Sequence, residues 1–330
     1  MMNNPANFPE IPPPLRIGIE IGGTKLQAAL GDSSCRVLRL ERRSIQPEHG
    51  AAGVLAALPP LLDALLKGAG RAWHDVAAVG IGFGGPVDAA AGIVMRSFQV
   101  PGWDGFHLAE WAWRAWDRPV AIANDAAVAG LAETMLGASK GAQRTFYMTI
   151  GSGIGGGWIV DGRIDLGQGM GMAELGHTYV PDPKTGAAVE LETVCSGWAI
   201  GSRARAAAAQ ESSHMPELAG SLAAVDARIV YAAAEAGDPV ARRIVDETTA
   251  TLGLALANVI ALLHPQVIVI GGGVSLMGPL FWDGLRAAVV RRAMPAYVAS
   301  VRIERAMLGE DVVPVGALCL AGAAIGQRNG

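Results

Sequence analysis

LRIGIEIGGTKLQAALG (15–31) reads as two apolar strands joined at a glycine turn, and RTFYMTIGSGIGGGWIV (144–160) repeats the pattern in the second half of the chain. Runs of about seven apolar residues closed by glycine are short for helices and carry the β-branched and aromatic residues that strands favour. In the second copy GSGIGGG (151–157) is read as the turn and WIV (158–160) as the returning strand, which Asp161-Gly162 turns once more. Two copies of one opening motif imply an internal duplication, hence two similar α/β lobes with a cleft between them.

Working outward, a short β run is expected near 37–40. Leucines 55, 58, 62 and 66 at helical spacing predict a helix over 51–67, VAAVGIGFGG (76–85) a buried strand, and HLAEWAWRAW (107–116) a helix. PVAIAND (119–125) reads as a strand ending on a polar pair. Helices are expected over 199–209, 222–236 and 240–263, then a strand QVIVI (266–270) running into GGG (271–273) and a further helix. A last apolar segment of small residues has the look of a helix packed closely on a sheet. The division expected is a disordered lead over 1–14, a smaller lobe over 15–125 and a larger lobe over 126–313, with a helix over 314–326 returning to the smaller lobe.

Composition narrows the function classes. The 330 residues are 51% hydrophobic and 17% charged, with net charge −4 and pI near 5.9; such a chain buries a large core and offers no basic footprint for nucleic acid. Cys35, Cys195 and Cys319 lie far apart without a C-x-x-C pair, which fits a reduced, cytoplasmic setting. Each apolar run is broken by Gly, Arg or Asp before it reaches membrane-spanning length, so no membrane role is expected. The first residues lack the basic-then-apolar pattern of a signal peptide.

The glycine clusters GGTK (22–25), GSGIGGG (151–157) and GGG (271–273) each follow an apolar strand. Glycine lets a backbone approach a phosphate and aim successive N–H groups at it; tight turns are the plain alternative for any one cluster, less so for three. Each lysine (25, 67, 140, 184) follows a residue other than glycine, so there is no Walker A loop. Gly151, Gly153 and Gly156 match G-x-G-x-x-G with Glu174 near the acidic position, but a hairpin follows where that fingerprint needs a helix. Gly137-x-Ser139-x-Gly141 follows a helix and not a strand, against a hydrolase elbow. Asp125 could be explained as a helix N-cap alone. Glu174, His177 and Glu192, if brought together, offer the donors and acceptors that a polyhydroxylated ligand needs.

With IGIEIGGTK, GFGGPVD, VPGWDGF, AIANDAA, TIGSGIGGG, AELGH, LETVCSG and VIVIGGGVS occurring in that order, the sequence resembles the sugar kinases of the ROK (repressor, open reading frame, kinase) family over about 15–324. The resemblance implies a two-lobed actin/hexokinase-like (ribonuclease H-like) α/β fold with an interlobe cleft. It implies a glucokinase-like enzyme that moves the γ-phosphoryl group of ATP to a sugar 6-hydroxyl, glucose first, with fructose, mannose or an N-acetylhexosamine left open, as is polyphosphate as donor. It assigns Asp125 as catalytic base, and Gly85, Asn124, Asp125, Glu174, His177 and Glu192 to the sugar. It assigns Gly22, Gly23, Thr24, Lys25, Gly151, Ser152, Gly153, Gly155, Gly271, Gly272 and Gly273 to ATP, and Glu20 to Mg²⁺, directly or through water. A homodimer is implied, without nucleic acid or membrane partners.

Two departures from the family pattern stand out. Glu20 occupies the place of the usual Asp. The zinc segment that many members carry is here PDPKTGAAVELE (181–192), with Pro183, Thr185 and Glu190 where cysteines would stand. No zinc site is expected, because structural zinc is held by such thiolates, and His177 is expected to be free for the sugar. A sugar-responsive repressor of the same family is the rival from another class; it would need a DNA-binding domain before the first hairpin, where only a short lead is expected. A non-catalytic sugar-binding protein is the second rival.

Overall fold

The computed structural model describes residues 14–326, so the expected lead lies, Pro14 apart, outside the described residues. The first sheet contains β1 (Leu15–Ile21), β2 (Lys25–Gly31), β3 (Val37–Ser44), β4 (Val76–Phe83) and β5 (Val120–Asn124), in the order β3-β2-β1-β4-β5. β1, β2 and β3 are antiparallel neighbours, whereas β4 and β5 add in parallel. The second sheet repeats this with β6 (Arg144–Ile150), β7 (Ile154–Val160), β8 (Arg163–Ile164), β9 (Val267–Gly271) and β10 (Arg302–Arg305), in the order β8-β7-β6-β9-β10. The duplication read from the two hairpins is thus a duplication of whole sheets, and the actin/hexokinase-like fold is the one observed.

The helices are α1 (Gly50–Gly68), α2 (Leu108–Trp116), α3 (Asp125–Met135), α4 (Gly197–Ala208), α5 (Ala227–Glu235), α6 (Pro239–Leu263), α7 (Pro279–Arg292) and α8 (Val312–Gly326), besides shorter turns. β1 and β4 are buried along nearly their whole length, as strands covered on both faces must be. One apolar cluster joins the first sheet to α1 and α2, and another joins the second sheet to α5, α6 and α7. A third lies where α3 and α8 meet β6, β7 and β9, with Val128, Tyr147, Val267, Val313 and Ala317 at its centre. Glycine makes this crossing possible. A Cβ on Gly18 would overlap the Pro314 carbonyl, one on Gly80 that of Ala317, and one on Gly316 that of Val128.

Several local expectations are corrected. The turn of the second hairpin is confined to 151–153, and Gly155, Gly156 and Gly157 belong to β7. They are glycine because α3 and residue 173 press on that strand: a Cβ on Gly157 would stand 2.6 Å from Ala127 Cα, and one on Gly156 would overlap the Ala173 carbonyl. The helix expected over 222–236 is split, since Asp226 caps a new start by accepting from the N–H groups of Arg228 and Ile229. β10 (RIER) is mostly charged and carries no apolar run to mark it as a strand. The residues expected to break every apolar run do not do so in two places: Pro47–Gly68 and Pro239–Leu263 have the length and mean hydropathy of a span. Both bury leucine rows in the chain's own cores, Leu58, Leu61, Leu62 and Leu65 in α1 and Leu252 and Leu256 in α6.

Candidate active site

Glu20, Gln27 and Arg42 stand opposite one another across β1, β2 and β3. That register makes a polar row: Gln27 Nε2 donates to Glu20 Oε2 at 2.6 Å, and Arg42 Nε donates to Gln27 Oε1 at 2.5 Å. Arg42 also pairs with Asp311, beside the start of α8. Lys25 Nζ lies 3.3 Å from Glu20 Oε1. Glu20 is buried, and desolvation raises its carboxyl above the usual range against the pull of Lys25.

At the end of β5 the cap is Asn124, not Asp125. Asn124 Oδ1 accepts from Ala126 N (2.9 Å) and Ala127 N (3.3 Å), while its Nδ2 donates to the Gly85 carbonyl (3.1 Å). Capping therefore does not account for Asp125, the first residue of α3, whose Oδ1 accepts from its neighbour Ala126 N at 2.8 Å. Burial pushes the Asp125 carboxyl up to about 6; the Ala126 N–H opposes this, and the negative charges of Glu20 and Glu174 add to it. A carboxyl so perturbed at the meeting point of two lobes is the mark of a functional group.

Glu174 precedes the turn Leu175–His177, and Ala173 before it holds a left-handed φ of 74° that L-residues seldom adopt. Although Glu174 is exposed as a residue, desolvation raises its carboxyl; His177 opposes the rise and Glu192 adds to it. Glu192 Oε2 accepts from Ile154 N at 2.7 Å, which ties it to the second glycine turn. His177 is not free as expected. Its Nδ1 lies 3.0 Å from Glu190 Oε2, and this hydrogen bond raises the imidazole above its ordinary value. Among the described residues no group of three or more His, Cys, Asp or Glu could hold a metal ion.

Asn124 and Glu174 share a small cavity with Gly156, Met170 and Met172. Its roughly 10 Å³ is room for about one water, because the loop 165–173 lies across it and Gly169 O accepts from Ala89 N at 3.0 Å. On the other side of Asp125 a cavity of about 360 Å³ is walled by Glu20, Lys25, Tyr147 and Gly271–Gly273. Gly22, Gly23 and Thr24 are not among its walls, and a Cβ on Gly23 would overlap the Gln99 side chain. Beyond it a cavity of about 700 Å³ is lined by Gly151, Ser152 and Gly273 together with Trp198, Tyr231 and Met277.

The glycines sort by what they face. Gly271 lies under the Tyr147 hydroxyl, Gly272 has φ 80° against the Ile150 backbone, Gly153 is filled by the Glu192 carboxylate, and Gly155 lies against Ala126. At those four the fold itself calls for glycine. A Cβ on Gly151 or Gly273 would meet nothing within 4 Å, and neither has a positive φ, so nothing in the chain itself requires glycine there. Two backbone positions kept clear on the wall of one cavity suit a ligand that presses on the backbone. The sequence reading missed Trp198, Tyr231 and Met277; the one available signal was a tryptophan directly after the glycine of CSGW, 74% exposed in the fold.

The ROK family model matches residues 16–324. A glucokinase of Thermotoga maritima is 32% identical over 94% of this chain and 98% of its own. The structure of a ROK family glucokinase from Streptomyces griseus, in complex with glucose and AMPPNP, superposes with TM-score 0.77 at 30% identity, covering 96% of this chain and all of that one. A ROK family transcriptional regulator, homologous to the E. coli MLC protein, gives TM-score 0.82 at 25% identity over 94% of this chain and 78% of its own. With matches of this extent to a family model, a sequence relative and solved structures, the chain belongs to the ROK family.

Proposed function

We propose that the protein is an ATP-dependent hexose kinase that phosphorylates the 6-hydroxyl of glucose, with Asp125 as the catalytic base. The observation that carries this reading is Asp125 itself: a carboxyl relieved of capping by Asn124, pushed up to about 6, on the wall of a glycine-lined cavity and next in sequence to Asn124, which lines a second, smaller one. Phosphoryl transfer asks little covalent work of a protein; positioning and charge dominate. Asn124, Glu174, Glu192 and the Gly85 loop orient the sugar, and the His177–Glu190 pair stands beside them. Asp125 Oδ2 takes the proton of the attacking hydroxyl. The ATP phosphates lie along the Lys25 hairpin and the Gly151 and Gly273 turns, with the nucleoside against Trp198.

Glu20 and Asp125 offer hard oxygen donors at one cavity, which fits Mg²⁺. Glu20, directly or through water, would hold the ion; when bound it neutralises charge on the phosphates. The division into a smaller lobe with α8 returned to it and a larger lobe is part of the same proposal, and so is a homodimer, which light scattering checks. The regulator among the structural relatives supports a second reading, sugar binding without transfer. Coupled ADP release over a panel of sugars, with and without EDTA, separates the two: sugar-dependent, EDTA-sensitive release with glucose fits the kinase, and none with any sugar excludes it.

A further inference from the structure

Cys35 and Cys319 take no part in the cleft. Cys35 sits in the loop between β2 and β3, at the end of β2 opposite Lys25, with a left-handed φ of 62° and 6% exposure. Cys319 comes from α8, is partly exposed, and packs against the cluster of Ala29, Cys35 and Leu318. Arg16 of β1 completes the group. Its Nη1 donates to Cys35 Sγ at 3.7 Å, and its Nε is buried without a partner. A guanidinium does not give up its charge, and Arg16, partly buried, holds it beside the Cys35 sulfur. Among the described residues Cys35 is the only side chain to which Arg16 donates. The neighbouring Cys319 thiol and the Arg16 guanidinium draw the Cys35 thiol below the usual thiol range, while the nearness of Cys35 and burial push Cys319 up. Cys195, in the other core, is pushed up to about 12 by burial alone among its raising causes.

We propose that Cys35 and Cys319, with Arg16 as counter-charge, form a peroxide-sensitive dithiol, a redox modification site apart from the phosphoryl-transfer cleft. The Cys35 thiolate attacks one oxygen of a hydroperoxide. An S–O bond forms, the O–O bond breaks, and the departing oxygen leaves with the electron pair and takes up a proton. The Cys319 thiol then gives up its proton and attacks the sulfenic sulfur; the S–S bond forms, and the sulfenic oxygen departs as water. In sum the two thiols are oxidised by loss of two hydrogens and the peroxide is reduced. The bond ties the β2–β3 loop to α8, and a dithiol reductant reverses it.

The full chain is treated with hydrogen peroxide, then unfolded, alkylated and mapped by mass spectrometry. The expected product is lighter by two hydrogens, carries a peptide joining Cys35 to Cys319, returns to the starting mass with dithiothreitol, and leaves Cys195 open to alkylation. Cys319→Ser is expected to accumulate a dimedone-reactive sulfenic acid at Cys35. In the untreated chain, alkylation of Cys35 should reach half its full rate at a lower pH than for free cysteine. Unchanged mass, added oxygen without the 35–319 peptide, a crosslink to Cys195, or an alkylation midpoint at or above that of free cysteine would each overturn the proposal.

Discussion

At Asp125 the chain puts a carboxylate one residue past a strand end and leaves the capping to its neighbour. The same environment that singles Asp125 out also sets its pH response. Burial and the charges of Glu20 and Glu174 hold its folded-state pKa near 6, and only the deprotonated form can accept a proton. The expected kcat/KM therefore rises with pH through about 6 and levels above it. Glu174→Gln removes one of the raising charges, so that limb should move to lower pH; a limb that stays put or moves up shows that Glu174 does not act on Asp125. The candidate residues were legible because polar groups at strand ends stand out against apolar strands. Their partners were not. That Glu192 would accept from Ile154, that His177 would turn to Glu190, and that Gln27 would face Glu20 depends on which backbone groups the fold brings opposite.

Among the elements, the two hairpins could be read nearly residue by residue, since seven-residue apolar strands closed by glycine admit few alternatives. Gly155–Gly157 could not: glycine marks turns and close approaches alike, and only the positions of α3 and residue 173 show which. That difference is measurable. Gly157→Ala drives a Cβ to 2.6 Å from the backbone of Ala127, and overpacking of that kind costs about 1–3 kcal/mol, read as a lower unfolding midpoint. Gly151→Ala meets nothing in the chain, so its stability should stay within about 0.5 kcal/mol of the parent, while KM for ATP rises. Equal stabilities for the two variants, or an unchanged KM for ATP in Gly151→Ala, would contradict these readings.

Over the whole molecule, two like sheets meet through α3 and α8, and Asp125 heads one of the two helices at the junction. The loop 165–173 closes the small cavity through Ala89 and Gly169, leaving far less room than a hexose needs. In the proposed site, sugar would enter by opening that loop and be held by its closing, which would also keep water from the phosphoryl group. Limited proteolysis within 165–173 should be slowed by glucose; cleavage at the same rate with and without sugar would count against a gate there. What joins residue, element and lobe is the claim that a bound sugar gives its proton to Asp125. The direct measurement is glucose phosphorylation by Asp125→Asn beside its glucose Kd. Turnover should fall by roughly 10²–10⁴-fold with the Kd little altered; turnover within a few-fold of the parent at an unchanged Kd would contradict the assignment.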